Sequence, residues 1–104
     1  MHMSVPERQA RSALARLVSQ RGLLRGNVLE RRRACGKPTC KCARGELHAS
    51  LYLVFSEGGT LQQLFVPKTW EARVRLWVAD YHDARRRLEE LSHLYFGKLR
   101  QRED

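Results

Sequence analysis

The last third of the chain carries the feature that most limits its fold. Trp70, Val74, Trp77, Tyr81, Ala84, Leu88, Leu91 and Tyr95 follow one another at spacings of 4, 3, 4, 3, 4, 3 and 4. That alternation lays all eight side chains along one line of an α-helix, an a/d seam in heptad terms. A single long helix over 69–101 is therefore expected, with Thr69 as its cap after Pro67. Its first half is expected to cover a sheet. Its second half, extended by Leu94, Phe96 and Leu99, needs the N-terminal helix or another chain, so Tyr81, Leu88, Leu91 and Tyr95 are assigned to a partner or oligomer seam. An aromatic stripe at helical spacing reads as core, not as a cofactor site.

Helix signals also open the chain. Ser4 can cap, Pro6 suits the first turn, and Glu7 is placed to complete a capping box by reaching back to the cap. Ala10, Ala13, Leu14, Leu17 and Val18 then form one apolar stripe, and Gly22 stands where a left-handed C′ residue ends a helix. Val28 to Ala34 reads as a short strand. Ala49 to Phe55 and Thr60 to Val66 read as a β-hairpin joined by Ser56-Glu57-Gly58-Gly59. Leu51, Leu53 and Phe55 share one face of its first strand, Tyr52 and Val54 the other. The expected architecture is α+β in a single domain over 1–104. It comprises an N-terminal helix (4–21), a small antiparallel sheet of about three strands (27–66) carrying a zinc-type Cys/His loop (35–48), and the long C-terminal helix (69–101). At 104 residues such a chain buries only about 60–65% of its unfolded surface, so a metal, a partner or a ligand is expected to help hold it.

Cys35, Cys40, Cys42 and His48 form a C-x4-C-x-C-x5-H pattern. Three thiolates and an imidazole are a complete tetrahedral zinc set, one zinc per chain. C-x4-C and C-x-C are less usual spacings than C-x2-C, and other uses of these cysteines stay open. Cys40/Cys42 or Cys35/Cys40 could be a redox pair, the three could hold an iron–sulfur cluster, or they could be inert thiols. Glu46 or a water could replace His48 as the fourth ligand.

The run Cys35-Gly36-Lys37-Pro38-Thr39-Cys40-Lys41-Cys42-Ala43-Arg44-Gly45-Glu46-Leu47-His48, then an aromatic strand, then Val66-Pro67-Lys68 before a long helix, resembles a bacterial family of short proteins of unknown function. The resemblance covers roughly residues 22–100. It implies a small cysteine-containing domain associated with mobile genetic elements and nucleic-acid contact, with no activity to carry over. The chain departs from the pattern after His48, where Ala49-Ser50-Leu51 stands in place of Gly-Pro-Tyr.

The net charge of +9 lies entirely before residue 46, where eleven Lys or Arg face only Glu7 and Glu30. Sixteen of the twenty basic residues are Arg, whose planar fork suits phosphate and stacks on bases, so a polyanion partner is expected. Arg25, Arg31, Arg32, Arg33, Lys37, Lys41 and Arg44 are the candidate nucleic-acid contacts. Strand alternation sends Arg31 and Arg33 to one face and Arg32 to the other. Such a basic sheet could enter a DNA major groove or lie on structured RNA. Arg85-Arg86-Arg87, flanked by Asp80, Asp83, Glu89 and Glu90, reads as a solvated, self-compensated helix face.

No apolar segment approaches the length of a membrane span, no secretory signal is evident, and a cytoplasmic location is expected. No Ser/His/Asp set, paired-carboxylate set or phosphate-binding glycine motif is present, so catalysis is not expected and the cysteines are its only support. The reading that fits best is a small zinc-stabilised DNA- or RNA-binding protein. The alternative is a non-catalytic interaction or accessory subunit that dimerises or binds a partner through its long helix.

Overall fold

A computed structural model describes residues 3–33, 39, 45 and 48–102. The elements are α1 (Val5–Gln20), β1 (Asn27–Arg33), β2 (His48–Glu57), β3 (Thr60–Val66), a 3-10 turn (Lys68–Trp70) and α2 (Glu71–Gln101). The fold is α+β, with an N-terminal helix, a three-stranded antiparallel sheet and a long C-terminal helix. The residues cluster in two compact units, Arg25–Arg75 and Met1–Leu24 with Leu76–Asp104. Among the described residues, no helix is long and apolar enough to cross a membrane.

In the first unit the strands lie in the order β1-β2-β3. Gly58 and Gly59 make a two-residue turn with φ of 59° and 81°, the left-handed pair that matches the twist of a hairpin. That turn fixes the register: Glu57 faces Thr60, and Tyr52 consequently faces Phe65. Gly26 (φ 140°) must also be glycine, because a Cβ there would stand 2.8 Å from the Val54 carbonyl oxygen. The inner face buries Leu51, Leu53 and Val66, and Val74 in the first turn of α2 is buried too. Burying a Leu or Val side chain contributes about 1.5–3 kcal/mol, so this cluster dominates the stability of the sheet.

The second unit holds α1 and most of α2. Ser4 caps α1, its Oγ accepting from the Glu7 amide at 3.2 Å. The capping box does not close, because the Glu7 carboxylate is taken by other partners. It accepts from Arg11 Nε at 2.9 Å and from the Tyr95 hydroxyl at 2.9 Å, and Lys98 Nζ lies 3.6 Å away. Arg11 also donates to the Tyr95 hydroxyl at 2.7 Å. Glu7 is 2% exposed. The Arg11 hydrogen bond, then that of Tyr95, holds its carboxyl below the ordinary 4.5, with the charges of Lys98 and Arg11 adding to the effect against a desolvation that opposes it.

Two sequence expectations are corrected here. Gly22 does not end α1 in a left-handed conformation, since the helix closes on Arg21 in an extended one (φ −119°, ψ 150°). Glycine is required there by packing, as a Cβ would overlap the Trp77 indole. The seam also departs from the eight-residue line. Trp70 stands in the 3-10 turn, 43% exposed, with the Arg73 guanidinium 4.3 Å from its ring centre.

Further along α2, the covered line runs through Ala84, Arg87, Leu91, Leu94 and Lys98, whereas Leu88 is 54% and Tyr95 44% exposed. A straight helix drifts about 20° per heptad against a 3.5-residue seam, and this drift moves the line sideways. Both cations on the covered line have acidic neighbours, Arg87 with Asp83 (3.6 Å) and Glu90 (3.8 Å), and Lys98 with Glu7. In the Arg85-Arg86-Arg87 run, Arg86 also pairs with Asp83.

Candidate nucleic-acid interface

The candidate interface is built from the alternation of three short strands. In β1, Leu29, Arg31 and Arg33 point to one side of the sheet, and register places Arg31 opposite Ser50 and Arg33 opposite His48. Tyr52 and Phe65 share that side, facing each other across β2 and β3. Leu29 is 42% exposed, Leu61 65% and Phe65 57%, so this outer face is apolar and open. It carries a row that crosses all three strands. The Arg31 guanidinium carbon lies 5.2 Å from the centre of the Tyr52 ring. The Tyr52 and Phe65 ring centres are 5.9 Å apart, tilted by 40°. Beyond the tyrosine, Arg31 Nη2 donates to Gln63 Oε1 on β3 at 2.8 Å.

The other candidate contacts are dispersed. Arg32 points to the opposite side and pairs with Glu30 at 3.0 Å, so its charge is already compensated. Arg25 precedes β1 and donates to the Ser56 carbonyl at 2.5 Å, which places it at the hairpin end of the sheet while Arg33 stands at the other. Lys37, Lys41 and Arg44 lie outside the described residues. So do Cys35, Cys40 and Cys42. His48 is described: it opens β2, exposed, directly across from Arg33. Among the described residues, no group of three or more His, Cys, Asp or Glu side chains is placed to hold a metal ion.

The seam residues are separated too. Leu91 is buried and Tyr81 half-buried, Tyr95 is engaged with Glu7 and Arg11, and Leu88 is open. The exposed apolar residues on this part of α2 include Leu88, Phe96 (52%) and Leu99 (75%), which share one stripe at helical spacing.

Sequence reasoning did not single out Tyr52, Gln63 and Phe65. The signal for them lies in Gly58-Gly59, because a two-residue turn sets which β3 residue faces which β2 residue, and so brings Phe65 to Tyr52.

This sheet and its cysteine segment lie within a named family. The family described as Domain of unknown function (DUF6788) matches residues 6–76, and the chain belongs to it. The match spans α1, the sheet and the start of α2. No curated protein and no solved structure matches the chain.

Proposed function

We propose that this protein binds nucleic acid on the outer face of its sheet, as a binding module and not as a catalyst. One observation carries the reading: Arg31 and Arg33 share an exposed face with Tyr52 and Phe65, and among the described residues no carboxylate pairs with either arginine. A guanidinium suits phosphate in bidentate fashion, and an aromatic ring suits a base. The concentration of positive charge before residue 46 supplies the long-range attraction.

The test is equilibrium binding to DNA and RNA across a salt series. Affinity is expected to fall steeply with salt. Reversing Arg31 and Arg33 to Glu is expected to weaken binding at least about tenfold and to reduce the salt slope by about 1.4, which is about 0.7 for each phosphate that an arginine no longer neutralises on a single strand. No binding to either polymer at about 50 mM salt would sink the reading, since electrostatic attraction to phosphate is stronger there than at physiological salt.

A zinc ion held by Cys35, Cys40, Cys42 and His48 belongs to the same proposal. The pairing of Arg33 with His48 supports it, because it sets the chain entering residues 34–47 beside the chain leaving them, with Cα atoms about 5 Å apart. Cys35 follows two residues after Arg33, within reach of a shared ion. Elemental analysis is expected to give one zinc per chain, and a chelator to lower the melting temperature sharply. Metal-free folded protein with three titratable thiols would reject the site.

A second reading is supported by the stripe of Leu88, Phe96 and Leu99 on α2, which suits an interaction or accessory subunit that pairs through this helix. Light scattering at micromolar concentration tests it: a dimer mass that Leu99→Glu returns to monomer is expected, and a monomer throughout rejects it.

A further inference from the structure

We infer that the ligand of the sheet face is an unpaired strand, DNA or RNA, whose bases stack on Tyr52 and Phe65 while Arg31 and Arg33 hold its phosphates. The inference rests on the nucleic-acid reading above and adds to it the kind of nucleic acid. Three observations carry it.

Width comes first. A B-DNA major groove is about 12 Å across and admits a helix or a two-stranded ribbon. Three strands at about 4.8 Å spacing set the outer strand axes about 10 Å apart, so with side chains at both edges the sheet takes up that whole width. The row from Arg31 through Tyr52 to Phe65 runs across all three strands, so in a groove its rings would meet base edges and sugar–phosphate walls and never the flat face of a base. In duplex RNA the major groove is narrower still and its bases are out of reach.

The second observation is chemical. A surface that only grips phosphates has no use for apolar area, yet this face leaves Phe65 57% and Leu61 65% exposed beside its arginines. Exposed rings among cations suit the flat face of a base, which only an unpaired strand offers.

The third concerns preorganisation. Tyr52 is held between Phe65 and the Arg31 guanidinium, and Arg31 is held by Gln63. The Gln63 amide oxygen is neutral, so it orients Arg31 without supplying a counter-charge. Rings and cation fixed in one row accept about two to three bases with little further ordering.

The experiment is fluorescence anisotropy with labelled oligouridine and oligothymidine of about 15 nucleotides, a length that fills one small site, and with a fully paired duplex of similar length, all at about 100 mM salt. Single strands are expected to bind at least about tenfold more tightly than duplex. Phe65→Leu, at a position 57% exposed, is expected to weaken single-strand binding about tenfold with an unchanged melting temperature, leaving duplex binding and the salt slope unchanged.

Equal affinity for single strand and duplex overturns the inference. So does a Phe65→Leu protein with undiminished single-strand binding. In both cases the nucleic-acid reading survives if Arg31→Glu with Arg33→Glu still weakens binding at least about tenfold. No binding to any of the three probes at low salt removes the broader reading as well. A dimer that Phe65→Leu dissociates would assign the face to a second copy of this chain and overturn the inference.

Discussion

An arginine lies against a tyrosine ring in each compact unit, and the two pairs are finished differently. In the helical unit Arg11 and Lys98 sit 5.9 and 5.2 Å from the centre of the Tyr95 ring, and the buried Glu7 carboxylate takes hydrogen bonds from both Arg11 and the Tyr95 hydroxyl. In the sheet unit Arg31 sits 5.2 Å from the centre of the Tyr52 ring and donates to the neutral amide of Gln63. The first pair is closed, since its charge is neutralised inside the fold and its hydroxyl is committed. The second keeps its charge, with an exposed phenylalanine beside it. Under the proposed function, the difference separates a structural cation–π contact from one that is left for a ligand. The ring and the guanidinium are common to both, so what decides is whether a carboxylate completes the set.

Breaking the closed pair should cost the most stability. Glu7→Ala removes the one buried member of the cluster, so Arg11, Lys98 and the Tyr95 hydroxyl lose their shared acceptor and a void is left where the carboxylate packed. The melting temperature is expected to fall by about 10 °C or more, with nucleic-acid affinity at lower temperature unchanged. The same carboxyl gives the helical unit a pH signature. Its folded-state pKa lies below the ordinary 4.5, so its contribution to stability is complete above about pH 4.5 and is lost as the pH falls through the folded-state value. Melting curves of the unaltered protein and of Glu7→Gln from pH 7 down to pH 3 are expected to converge toward the acid end. A gap that stays constant would show that the charge of Glu7 does not matter.

A smaller loss is expected at Gly22, where the chain leaving α1 packs against Trp77. The Leu24 amide donates to the Trp77 carbonyl at 3.1 Å, and a Cβ on Gly22 would stand inside the Trp77 ring. Gly22→Ala must displace an indole, a cost at the low end of the overpacking range, about 1 kcal/mol, or about 4–8 °C in melting temperature for a domain of this size. An unchanged melting curve would show that the ring yields freely.

The contrast between the two pairs was only partly legible in the sequence. Short runs bounded by turn residues located the three strands, and helical periodicity located both helices, because those signals are local. Alternation sent Arg32 away from Arg31 and Arg33 for the same reason. Three features depended on distant partners. Glu7 reads locally as a capping-box residue, and its real partners include Tyr95, which is 88 positions away. Gly22 reads as a helix stop, yet its constraint comes from Trp77. Leu88 fits the heptad and is exposed, because a helix that stays straight carries the covered line across to Arg87 and Leu91. At the candidate site the arginines were visible from composition, whereas Tyr52, Gln63 and Phe65 come together on one face only because the Gly58-Gly59 turn fixes the register.

The sharpest test converts the open pair into a copy of the closed one. Gln63→Glu changes one amide into a carboxylate within hydrogen-bond distance of Arg31 and leaves size, strand and face the same. The sheet should fold as before, since an exposed ion pair of this kind contributes only about 0.2–1 kcal/mol. Binding should not stay the same, because Arg31 would then be neutralised as Arg11 is by Glu7. Single-strand affinity is expected to drop about fivefold, with the salt slope smaller by about 0.7, the share of one neutralised phosphate. The rings are untouched, so the remaining affinity should still depend on Phe65. If Gln63→Glu binds as tightly as the unaltered protein with an unchanged slope, Arg31 does not meet phosphate, and its contact with Tyr52 is structural like that of Arg11 with Tyr95.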